Sequence, residues 1–149
     1  MIRPAIPADR ATLVRLQSFL PEPSPGLLDN ALDAAALTPA TALVSTADAD
    51  ADGDGNGGEP VAYLLAVPGD GTTYVAELVV DPEHRREGRA QALLSACARR
   101  AGDDAHALTV TVAPDNEAAR SLYRACGFER VERLPDFFDV GDAVLYRRD

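Results

Sequence analysis

Val79-Val80-Asp81-Pro82-Glu83-His84-Arg85-Arg86-Glu87-Gly88-Arg89-Ala90 decides how the 149-residue chain is read. The stretch leaves a strand-like run over Thr72–Val80 and breaks at Asp81-Pro82. It then enters a segment where Ala90, Leu93, Leu94, Cys97 and Ala101 recur at helical spacing. A strand that turns tightly into a helix presents the helix's unpaired N-terminal amides and the positive end of its dipole, which together can hold a phosphate. Gly88 lets an anion approach the backbone closely, and Ala90 keeps the first helical turn slim. A plain surface turn has the same ingredients, so both readings stand at this point. The chain has no Gly-x-x-x-x-Gly-Lys-Ser/Thr, and no Gly-x-Gly-x-x-Gly opens its first helix, so the usual nucleotide loops are excluded.

Upstream, residues 1–7 read as a short strand, and Asp9 reads as the cap of a helix carrying Leu13, Leu16, Gln17 and Leu20. A Pro-rich run over 21–25 ends it, and a second amphipathic stretch carries Leu27, Leu28, Ala31, Leu32 and Ala35. Residues 40–46 and 61–67 read as a hairpin with a long Asp/Gly-rich tip. Strict alternation over Thr72–Val80 puts Tyr74, Ala76, Leu78 and Val80 on one face, and Val75, Glu77 and Val79 on the other.

Downstream, Gly102 ends the helix and residues 107–113 form a strand. Ala119, Leu122, Tyr123 and Cys126 make the inner stripe of a further helix that Gly127 closes. Residues 128–133 and 143–147 supply the last two strands. The order β-α-α-β-β-β-α-β-α-β-β predicts an α/β fold of α+β character on one mixed sheet, a single domain over residues 1–149.

Composition narrows the function. Hydrophobic residues make up 46% and charged residues 26%, an ordinary balance for one folded core. Fourteen basic against 24 acidic residues give a net charge of −10, so nucleic acid is a poor partner. Every basic residue is Arg, and the usage of Ala and Asp resembles that of acidic proteins from salt-accumulating halophiles, although a GC-rich genome produces the same bias. No membrane span or signal-peptide core is visible, which predicts a cytoplasmic protein. Cys97 and Cys126 lack metal-ligand spacing with His84 and His106, so no metal site is expected and the thiols read as buried and reduced. Asp48-x-Asp50-x-Asp52-Gly53-x-x-x-x-x-Glu59 matches the calcium-loop pattern literally. Its flanks read as strands and Gly55 stands where an apolar residue belongs, so a solvated acidic loop is the expectation.

Arg85-x-x-Gly88-x-Ala90 resembles the Gln/Arg-x-x-Gly-x-Gly/Ala acetyl-CoA signature of the GNAT superfamily of N-acetyltransferases. Asn116-x-x-Ala119-x-x-Leu122-Tyr123-x-x-x-Gly127-Phe128 is similar to that superfamily's second motif, in the right order and at the right distance. The likeness covers essentially the whole chain. A shorter match, Phe137-Phe138-Asp139-x-Gly141-Asp142-Ala143, resembles the branch that acetylates protein N-termini, including ribosomal-protein alanine acetyltransferases.

The resemblance implies acetyl-CoA as cosubstrate, a primary amine as acceptor, and a set of site residues. The main chain at Leu78 and Val80 would pair with the pantetheine arm, and the N–H of Val79 or Val80 would face the thioester oxygen. Backbone amides of Arg85, Arg86, Glu87, Gly88, Arg89 and Ala90 would hold the pyrophosphate. The Arg85, Arg86 and Arg89 guanidinium groups would either add charge there or pair with Glu83 and Glu87. Asn116 would contact the cofactor or cap its helix.

Tyr123 matches the tyrosine that protonates the departing thiolate; read by itself it is a core residue on an apolar stripe. Glu77 is the candidate base, since a carboxylate between Val75 and Val79 is partly desolvated and desolvation raises a carboxyl pKa. The N-terminal branch often carries its glutamate where Thr111 stands here, so either Glu77 is the base or the substrate class differs. Two alternatives remain: acetylation of a small amine, and an acyl-CoA-binding sensor without turnover.

Overall fold

The computed structural model describes residues 2–20, 23, 25–32, 40–46, 59–69, 71–100, 107–138 and 141–149. Its elements run β1 (Ile2–Pro4), α1 (Arg10–Gln17), α2 (Pro25–Leu32), β2 (Thr41–Thr46), β3 (Pro60–Pro68), β4 (Thr72–Val80), α3 (Arg89–Arg100), β5 (Ala107–Val112), α4 (Glu117–Ala125), β6 (Glu129–Phe138) and β7 (Gly141–Arg148). This is the order read from the sequence. The strands form one seven-stranded sheet in the order β1-β2-β3-β4-β5-β7-β6. Only β4 and β5 run parallel, as the α3 crossover between them requires.

Helices cover both faces. Leu13 and Leu16 of α1 and Leu28 and Leu32 of α2 pack on Ala42, Val44, Tyr63, Leu65 and Val79. Leu93, Leu94 and Cys97 of α3, Tyr123 of α4 and Cys126 just past it pack on Leu64, Val75, Leu108, Val110, Val144 and Tyr146. Each fully buried Leu contributes about 2 kcal/mol of transfer free energy, so these two layers fix which face every strand residue takes.

Two features of β4 shape the site. The β4–β5 ladder has its rungs from Thr72–Ala107 to Val75–Val110, whereas β4 continues to Val80 and β5 to Val112. Past Val75 the two strands have parted. The second feature is a β-bulge: Leu65 pairs with Glu77 and Ala66 with Val75, leaving Ala76 without a partner. The extra residue reverses the parity of the strand, so Val75 lies in the core under α3 and α4 while Val79 lies under α1 and α2. The predicted shared face for Val75, Glu77 and Val79 is therefore corrected. Unbroken alternation in the sequence hides an insertion that only strand pairing reveals.

Other departures are local. Asp9 makes no side-chain cap on α1; its carboxylate instead accepts the Ile6 N–H at 2.9 Å and pairs with Arg3 at 2.8 Å, closing the one-turn helix Pro7–Asp9. The first strand is shorter than predicted. The last two are longer, with Leu134 paired to Ala143 and Phe138 to Gly141, so most of the expected loop over residues 134–142 is hairpin. The Asp48–Gly53 part of the calcium-like pattern, Gly102 and His106 lie outside the described residues. Among the described residues, no helix is long and apolar enough to cross a membrane.

Candidate active site

Between β4, the turn into α3 and the start of α4 lies a cleft of about 580 Å³. It is lined by Leu78, Val79 and Val80, by Arg85, Arg86, Gly88, Arg89 and Ala90, and by Asn116, all nominated from the sequence. Phe19, Leu20, His84, Gln91, Ala118, Ala119 and Leu122 complete the wall. Phe19 and Leu20 follow the C-terminus of α1; their hydrophobic character alone did not distinguish them from core residues.

The turn has groups that suit an anion. Asp81 accepts the Glu83 N–H at 2.9 Å and starts the one-turn helix Pro82–His84. Arg86 and Gly88 then take positive φ, 64° and 77°, the left-handed conformation that backbone anion nests use. A positive φ strains Arg86, and such strain concentrates at binding sites. The Gly88 carbonyl accepts the Ala92 N–H at 3.0 Å, placing Gly88 at the helix cap. Glycine has no side chain to cap the first-turn amides, which are left to a ligand at the positive end of the α3 dipole.

The three arginines divide their work. Arg89 donates to Glu87 Oε1 at 2.7 Å, Ser45 Oγ at 2.9 Å and the Thr46 carbonyl at 3.0 Å, so its side chain ties α3 to β2. Arg85 reaches back to the Val80 carbonyl at 3.4 Å. Arg86 joins no ion pair among the described residues and lines the cleft. Glu87 does not line the cleft. It pairs with Arg89 and with His84, the latter at 3.4 Å, and these partners hold its carboxyl below the usual range, the Arg89 hydrogen bond contributing most.

Asn116 caps its helix and lines the cleft. Its side-chain oxygen accepts the Ala119 N–H at 3.2 Å and caps α4, leaving Nδ2 as a donor on the cleft wall. About two turns along α4 from Asn116, Tyr123 lies in the core cluster against which Ala119 and Leu122 pack and does not line the cleft; it is 6% exposed, with its ring edge-on to Phe128 at 5.3 Å between centroids. Burial pushes its phenol well above the ordinary value, with smaller contributions from Cys126 and Tyr74. The phenol therefore stays protonated, the state a general acid needs. Burial also raises the thiols of Cys97 and Cys126, which disfavours thiolate chemistry.

Glu77 is 3% exposed and does not line the cleft. Gln17 Nε2 donates to both carboxylate oxygens at 3.1 Å, and the Tyr63 hydroxyl donates to Oε1 at 2.7 Å. These partners come from α1 and β3 and give the buried carboxyl group its hydrogen bonds. Sequence reading missed both. The signal for Gln17 was its place on the apolar stripe of α1, where a buried amide needs a buried partner.

The sequence pattern of the acetyltransferase (GNAT) family matches residues 16–128. The chain belongs to that family, whose members use acetyl-CoA as cosubstrate. Arabidopsis thaliana NAA60 in complex with acetyl-CoA has a similar fold, with TM-score 0.80 and 18% identity over 99% of this chain and 96% of that one. An acetyltransferase from Bacillus cereus described as acting on IAA is also similar, with TM-score 0.74 and 14% identity over 99% and 97%. An uncharacterized protein of Mycobacterium leprae is 38% identical over 77 residues, which cover 50% of this chain and 21% of that protein. The chain thus spans about a fifth of the length of the curated relative it matches.

Proposed function

We propose that the chain transfers the acetyl group of acetyl-CoA to a primary amine in a ternary complex, with a protein N-terminal α-amine as the favoured acceptor. The cleft carries this reading: an uncapped helix N-terminus, a positive-φ turn and a free guanidinium stand beside a strand that has parted from its neighbour. Those groups suit the pyrophosphate of CoA. The unladdered part of β4 offers main-chain groups to the amides of the pantetheine arm.

In this scheme a main-chain N–H of Val79 or Val80 steadies the oxyanion formed when the amine attacks the thioester. Tyr123 gives its proton to the departing thiolate. Glu77 takes the amine proton, directly or through water. An α-amine, with a reference pKa of about 8, is deprotonated near neutrality far more readily than a lysine at about 10.4. The Phe137-Phe138-Asp139-x-Gly141-Asp142-Ala143 resemblance supports the N-terminal acceptor, and the negative charge of the chain supports a cationic small amine as the runner-up. One observation favours a different class of protein. Glu77 is sealed beneath α1 by Gln17 and Tyr63, as expected of a binding module without turnover.

The test is CoA release from acetyl-CoA at high salt with three acceptor sets: peptides with free Ala, Ser or Met termini, N-blocked Lys peptides, and small amines. Release confined to free termini is the expected result. Release with small amines alone moves the acceptor to that class, and acetyl-CoA binding without any release establishes the sensor.

A further inference from the structure

The bulge at Ala76 has put two polar groups on one face that strict alternation would separate. With Val75 facing α3 and α4, Tyr74 faces the α1–α2 side, and the bulge brings Glu77 to the next position on that same side. On β5, Leu108, Val110 and Val112 face α3 and α4, so Thr109 and Thr111 share the face of Tyr74.

In the parallel ladder Tyr74 is opposite Thr109, yet its hydroxyl is 2.7 Å from Thr111 Oγ1, two residues further along. The ring leans toward the end where β4 and β5 part, since Thr111 is the first β5 residue past the last rung. Both side chains are partly exposed, whereas Glu77 is buried. A molecule arriving on this side reaches the hydroxyl pair before the carboxylate.

We propose that Tyr74, oriented by Thr111, is the residue that positions the acceptor amine: with its own proton donated to Thr111, the phenol oxygen accepts a hydrogen bond from the amine N–H at the mouth of the β4–β5 opening. This rests on the acetyl-transfer reading above. A phenol that donates once still has lone pairs facing outward, and an amine brings only N–H donors while it is protonated. Hydroxyls of Tyr74, Thr109 and Thr111 with the Glu77 carboxylate make this face rich in acceptors, suited to a primary amine entering as its cation. Thr111 thereby has a definite task, anchoring the phenol. No bond forms or breaks at Tyr74; the amine proton leaves by the route already described.

The experiment is steady-state kinetics with the acceptor that the wild-type chain uses, alongside calorimetric titration of acetyl-CoA and thermal melts. Tyr74→Phe is expected to raise KM for the amine about tenfold, the effect of losing one hydrogen bond to a charged group. Its acetyl-CoA affinity and melting temperature should match wild type. Thr111→Val should raise KM in the same direction by about threefold, since it only frees the phenol to turn, and Thr111→Ser should recover most of that loss. An unchanged amine KM in Tyr74→Phe overturns the proposal, as does a loss shared equally with acetyl-CoA affinity or stability. Absence of amine-dependent release from the wild-type chain overturns the acetyl-transfer reading itself, and this inference with it.

Discussion

Replacing Tyr123 by Phe removes one oxygen from a ring that Phe128 and the inner face of α4 hold in place. If that oxygen protonates the thiolate, turnover should fall by about a hundredfold or more while acetyl-CoA affinity stays within error. Parallel rate and binding measurements decide it, and an equal loss of both would return Tyr123 to the core. Asp9 gives a test of a different kind. Burial works against its ionised form, but hydrogen bonds from Arg3 and the Ile6 amide, with the Arg3 charge, outweigh that and hold the carboxyl below its ordinary value. A lowered folded-state pKa adds stability above the unfolded value and loses it as pH falls through the folded one. Denaturant titrations at falling pH should therefore show a loss below the usual aspartate range that is smaller in Asp9→Asn. Identical slopes would contradict the assignment.

At the scale of elements, the bulge on β4 decides more than any single side chain. Deleting Ala76 removes the bulge but makes Val75 and Glu77 consecutive rungs opposite Ala66 and Leu65, so each keeps the layer it already occupies. Glu77 then stays with Gln17 and Tyr63, and the ~3 kcal/mol or more that stranding a buried carboxylate would cost is avoided. Circular dichroism should show a melt lowered by only a few degrees, and a melt lost altogether would contradict this register.

The same element marks the limit of what the sequence reveals. Helix stripes such as Leu93, Leu94 and Cys97 were legible because each is repeated locally, and so was the turn from Val80 to Ala90, whose Pro, Gly and Arg residues act within a few positions. The bulge was not legible, because it is a relation between β3 and β4 and both strands keep an apolar pattern through it. Gln17 and Tyr63 were hidden for a related reason: their partner Glu77 is 60 and 14 residues away. The hairpin of β6 and β7 was underestimated because Pro135 and Asp136 look like loop residues; a register shift between Leu134 and Phe138 accommodates them.

For the molecule as a whole, the sheet separates two tasks. The α3 and α4 layer, with the turn at Arg85–Gly88, builds the cleft, and the α1 and α2 layer covers Tyr63 and Glu77 on the other face, where the Tyr74–Thr111 pair stays partly exposed. The parting of β4 and β5 connects them, which is where a thioester from one side and an amine from the other would meet. Under the proposed placement, a net charge of −10 would be offset locally by the α3 amides, the helix dipole and Arg86.

The most direct test of this account is amide hydrogen exchange on the full chain with and without saturating acetyl-CoA. Protection is expected in the peptides spanning Leu78 to Val80 and Arg85 to Gln91, with little change along β6 and β7. Saturable binding that leaves the Arg85 to Gln91 amides exchanging at their free rate would contradict the placement of the cosubstrate, and with it the mechanism built on that cleft.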